Sequence, residues 1–98
     1  MSDYILLMHN DESSESTSLD WDSYLARLRS AEVFQGGSAI GAGECMRRAG
    51  PVPTISKHIV GFIRIEARDL DHVRELLIGN PVFESGGTVE VRELPRTD

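Results

Sequence analysis

The chain is poor in lysine, cysteine and aromatic residues, and each scarcity removes a class of explanation. Lys57 is the single lysine, and the 10 basic side chains are outnumbered by 16 acids, for a formal net charge of −6. No basic stripe or block exists for a phosphate backbone to hold, which argues against a nucleic-acid partner. The lone cysteine, Cys45, permits no internal disulfide and fits a reducing, cytoplasmic setting. Arg47 and Arg48 are the neighbours able to activate its thiol, but a small packing residue is the simpler reading. No apolar run approaches the length of a membrane span, so no membrane partner is expected. The stretch Tyr4 to Met8 is too short for a signal peptide and follows Asp3. No Cys/His/Asp spacing matches a metal site, and a phosphate-cradling loop is the weaker reading of the glycines at 36–43, which no Lys and Ser/Thr follow, so neither metal nor cofactor is expected.

What is present reads as an ordinary globular chain. Its 98 residues, 40% hydrophobic and 27% charged, suit one domain spanning residues 1–98 with a modest core. Tyr4-Ile5-Leu6-Leu7-Met8-His9 is a nearly continuous apolar run, typical of a central strand covered on both faces. An acidic, serine-rich loop follows, and Ser18 or Asp20 is placed to cap a helix. Trp21, Tyr24, Leu25 and Leu28 then fall on one helical stripe and predict core positions. A second extended segment begins at Val33-Phe34-Gln35. Gly36, Gly37, Gly41 and Gly43 follow closely, which suggests a bulged strand or backbone packed against something. Gly50-Pro51-Val52-Pro53 marks a loop or hairpin with fixed turns.

The last forty residues carry the clearest pattern. Ile59 to Glu66 and Gly87 to Leu94 alternate like strands. Ile63, Ile65, Val89 and Val91 share one side, while Phe62, Arg64, Glu66, Thr88, Glu90 and Arg92 point the other way. Between them, Asp69 caps a helix whose buried stripe is Leu70, Val73, Leu76 and Leu77, and Gly79-Asn80-Pro81 ends it. A short loop is expected before the last strand. The order βαβ, loop, βαβ is the split arrangement of a ferredoxin-like α+β sandwich, with both helices on one side of a four-stranded antiparallel sheet. The opposite side is left bare, a situation commonly resolved by homodimerisation.

These residues resemble the YCII-related (DGPF-type) domain family. The likeness rests on Gly61-Phe62-Ile63-Arg64-Ile65-Glu66, on Asp69-Leu70-Asp71, on Asn80-Pro81 and on the closing run Gly86 to Leu94. Tyr4 to His9 and Gly36-Gly37-Ser38 also fit. The resemblance implies a dimeric α/β barrel with a pocket between sheet and loops. It also implies cofactor-free chemistry on ring compounds, such as dehydrochlorination, and in one branch a His–Asp pair. The sequence departs from the family's Asp-Gly-Pro-Phe, which here is Ala49-Gly50-Pro51-Val52 and lacks the carboxylate.

Two kinds of site follow. His9 ends the first strand, where an imidazole can reach a pocket and act as acid or base. If strands one and three pair antiparallel, His58 lies beside it. Arg64, Glu66 and Arg92 alternate onto the bare side, as a clamp for a polar or anionic ligand or as an ion-pair network across a dimer interface. Two functions fit this pattern. One is a lyase, isomerase or dehydrochlorinase acting on a small polar or aromatic compound. The other is a non-catalytic dimeric module that binds a small molecule or a protein.

Overall fold

The computed structural model describes residues 1–12 and 21–96. The candidate caps Ser18 and Asp20 lie outside the described residues. Seven elements follow one another: β1 (Ser2–His9), α1 (Trp21–Ser30), β2 (Phe34–Ala39), β3 (Ile59–Ala67), α2 (Leu70–Leu76), α3 (Pro81–Glu84) and β4 (Val89–Leu94). The strands form one antiparallel sheet in the order β2-β3-β1-β4. This is the expected ferredoxin-like arrangement, with β1 central. Residues 40–57 between β2 and β3 carry no regular structure, the place where a loop or hairpin was expected.

Alternation along β1 sends Tyr4, Leu6 and Met8 to the helix side, where all three are buried. Leu6 pairs with Ile63 on β3 and Val91 on β4, so the three strands place their apolar residues in one row. Ile63, Ile65 and Ala67 join Tyr24 and Leu28 of α1 and Val73 of α2 in a single core. Two side chains tie α1 to the end of α2. The Tyr24 hydroxyl donates to the Leu76 carbonyl at 2.7 Å, and Arg27 donates to the carbonyls of Leu76 and Ile78. These are carbonyls that a helix end leaves without intrahelical partners.

Local chemistry sets the element boundaries. Asp69 caps α2 by accepting from the His72 amide at 2.9 Å. His72 in turn accepts from the Arg68 amide through Nδ1, so it supports the helix start. The stretch expected as loop after α2 is instead the short helix α3. Asn80 accepts from the amides of Val82 and Phe83, and Pro81 presets the first turn.

Helix α1 ends in a Schellman motif. The Val33 amide reaches back to the Leu28 carbonyl at 3.2 Å, and both side chains are buried. The residue between helix and strand, Glu32, sits at φ 61°, a left-handed conformation that favours glycine. Glu32→Gly is therefore expected to stabilise the chain by about 0.5–1 kcal/mol, read as a rise in the urea midpoint.

Candidate functional site

The side of the sheet away from the helices is an open face built in rows across three strands. Asp3, Ile5 and Leu7 of β1 stand opposite Glu66, Arg64 and Phe62 of β3, and opposite Leu94, Arg92 and Glu90 of β4. Ile5, Leu7 and Phe62 are half-buried and form an apolar centre. Arg64 and Arg92 flank Ile5, with backbones about 10 Å apart at ordinary strand spacing.

At one end of this face lies a histidine cluster. His9 Nε2 is 3.0 Å from Glu90 Oε1, and the His58 ring meets the His9 ring edge-on with centroids 4.9 Å apart. The second Glu90 oxygen is 3.6 Å from Arg92. Topology alone explains the meeting of the two histidines. β1 ends where β3 begins, and the Asn10 amide donates to the His58 carbonyl. The register shifts between Met8 and His9, which pair with Gly61 and Ile59, so Val60 is the extra residue. Glu90 faces Leu7, one diagonal step from His9, and closes the gap with its side chain. An ionised carboxylate can only accept, so the Nε2 that faces Glu90 is the donor, and in the neutral imidazole the lone pair is then on Nδ1.

Glu66 belongs to a different cluster. It pairs with Arg96 at 3.0 Å and accepts from Gln35 at 2.9 Å, while Arg96 also holds Asp3 through two bonds of 2.8 and 3.0 Å. Asp3 and His9 are six residues apart on one strand, roughly 20 Å. The expected ligand set is thus split. His58 and Arg92 gather around His9 and Glu90, Glu66 closes the far end, and Arg64 stands between. The Arg96 guanidinium lowers the Asp3 pKa from its ordinary value. Beyond the histidine end, the Thr88 hydroxyl and amide both donate to Asp11 and lower its pKa as well.

On the helix side a pocket of about 440 Å³ opens between α1 and the β2–β3 ribbon. Trp21 and Leu25 form its wall. Trp21, expected as core, is 37% exposed because the floor beneath it is made of small residues. The stripe signal could not separate wall from core, since both sit on one helical face.

The model of the YCII-related domain matches residues 3–97. Among solved structures, the chain is similar to 5-chloro-2-hydroxyhydroquinone dehydrochlorinase (TftG) from Burkholderia phenoliruptrix AC1100, in complex with 2,5-dihydroxybenzoquinone. The TM-score is 0.59 at 20% identity, covering 99% of this chain and 96% of that one, a likeness of fold. No curated protein matches the sequence. Among the described residues, no helix is long and apolar enough to cross a membrane.

Proposed function

As the chain belongs to the YCII-related domain family, we propose that it is a cofactor-free acid–base enzyme for a small polar or aromatic compound, working as a lyase, isomerase or dehydrochlorinase. The observation that carries this reading is the His9–Glu90 contact at 3.0 Å with His58 against the same imidazole. Glu90 orients His9 and stabilises the imidazolium that forms when Nδ1 takes a proton. For a chlorinated hydroquinone, His9 would take one hydroxyl proton while the chlorine-bearing ring carbon gains a proton, and loss of chloride with a second hydroxyl proton would then leave a quinone, so the net change is loss of HCl. Arg92, already beside Glu90, would steady the negative oxygen in transit. Arg64 across the row would orient the other end of the ligand, and His58 would position it against His9.

A homodimer is part of the same proposal. The open face carries an apolar centre ringed by charge, and a second copy laid on it would exclude water from the histidine end. The free thiol of Cys45 suits a cytoplasmic location.

A second reading, a non-catalytic dimeric module that binds a small molecule or a protein, draws support from Ala49, which stands where the family motif has Asp. Chloride release separates the two. Purified protein incubated with 5-chloro-2-hydroxyhydroquinone is expected to release chloride faster than buffer, and His9→Gln and Glu90→Gln to slow it by about 100-fold or more. Release at the buffer rate, with tight binding of the same compound, would favour the binding module.

A further inference from the structure

The open face of the sheet carries its charges in an order, and that order decides how a second copy can lie on it. Counted from the start of β1, the first row is Asp3 with Glu66 and Leu94. The second is Ile5 with Arg64 and Arg92, and the third is Leu7 with Phe62 and Glu90. His9 follows at the far end with His58 against it. Two sheets packed face to face keep their strands within about 30° of one line. The two-fold axis between the copies then runs either along the strands or across them. An axis along the strands lays each row on its own counterpart. Arg92 meets the partner's Arg64, and Asp3 meets the partner's Asp3, so like charges are enclosed together. An axis across the strands, between Ile5 and Leu7, reverses one copy. Ile5 then covers the partner's Leu7, which keeps the apolar centre whole. Arg92 meets the partner's Glu90, twice by symmetry, and Arg64 lies over the partner's Phe62, a ring face that suits a guanidinium. The first row falls on the last, which sets Asp3 over the partner's histidine end.

We infer that the homodimer is the reversed one, and that each histidine site is completed by the partner's Asp3, which accepts a hydrogen bond from a second hydroxyl of the ligand. This rests on the homodimer and the His9 site proposed above. The surroundings of Asp3 suit that part. Arg96 holds its two oxygens at 2.8 and 3.0 Å and Glu66 at 3.0 Å, so two carboxylates share one guanidinium and the cluster stays negative. An ionised carboxylate has lone pairs beyond the two that Arg96 occupies, and it can only accept. Enclosed over the histidine end, it must face a donor. The ligand class is therefore a ring compound with two hydroxyls, one given to His9 and one to the partner's Asp3.

Sedimentation equilibrium reads the orientation without any ligand. Arg92→Glu should weaken the dimer about tenfold or more, because Glu then meets the partner's Glu90, and combining it with Glu90→Arg should restore association. Both side chains lie on the open face, 68% and 37% exposed, so the fold tolerates the exchange. With the axis along the strands, Arg92→Glu would instead meet the partner's Arg64 and tighten the dimer. Calorimetric titration with hydroquinone reads the site. Asp3→Ala should weaken hydroquinone about tenfold or more and leave 4-methoxyphenol, which lacks the second donor, unchanged. A mixture of His9→Ala and Asp3→Ala chains should regain wild-type affinity in about a quarter of its sites, since about half the dimers are mixed and each of those holds one intact site. The inference is overturned if Arg92→Glu associates as tightly as the wild type or more tightly, or if the exchanged pair stays dissociated. It is equally overturned if the wild type does not bind hydroquinone, if Asp3→Ala binds it unimpaired, or if the mixture regains no site. None of these readouts needs turnover, which keeps their failure distinct from failure of the chloride assay.

Discussion

Replacing Leu28 by alanine is expected to remove about 3–5 kcal/mol, a large share of the roughly 5–15 kcal/mol that holds a chain of this size folded. Leu28 is fully buried where α1 meets the sheet. It also supplies the carbonyl that ends α1 and the apolar contact with Val33 that fixes the entry into β2. The cavity left behind cannot collapse easily, because Tyr24 and Arg27, within the turn that precedes it, are bound to the end of α2. Thermal unfolding should fall by roughly 15 °C or more. Leu25→Ala, three residues earlier on the half-buried pocket wall, should cost less than half as much. Equal losses at the two positions would mean that α1 packs through its whole face and that no slot exists beneath it.

The second large effect concerns the open face. Leu7→Lys should convert the proposed homodimer to single chains, weakening association at least 100-fold. Leu7 lies on the central strand between Phe62 and Glu90, in the apolar centre that a second copy would cover. An ammonium placed there would lie beside the apolar residues Ile5 and Phe62, and Glu90 opposite is already shared by His9 and Arg92, so covering it with a second copy would cost more in desolvation than that carboxylate returns. On one chain alone the position is only half-buried, so the substituted protein should retain its far-UV circular dichroism. Sedimentation equilibrium of the two proteins supplies the test. A wild type that sediments at the mass of one chain would remove the dimer, and with it the enclosure of the histidine end.

Particular residues show how far the sequence could be read. Alternation assigned Ile63, Ile65, Val89 and Val91 to one side, and they are there, because a strand has a strict period of two and one side must face helices. Asp69 was legible as a cap, and the crowd of glycines after Phe34 as a bulged strand, since both are local demands of the backbone. His9 and His58 could be brought together from antiparallel pairing alone. By contrast, the alternating charges looked like one set, and the sheet divides them. Arg92 serves Glu90, whereas Glu66 is taken by Arg96 from the C-terminal segment, a contact between residues thirty apart that no periodicity encodes. The loop expected after Gly79 became α3 because buried Asn80 caps it from within the core.

The chain's own order of residues was enough to determine the α+β split arrangement, the two-sided sheet and the acidic, lysine-poor surface. These follow from short-range geometry, from side-chain period and from net composition. Only the folded packing decided that Glu90 would orient His9, that Glu66 would stand some 20 Å away, and that Trp21 would hang over a floor of glycine and alanine. Strand register and helix placement set those distances. They depend on how every layer fits its neighbours at once, which no local pattern records.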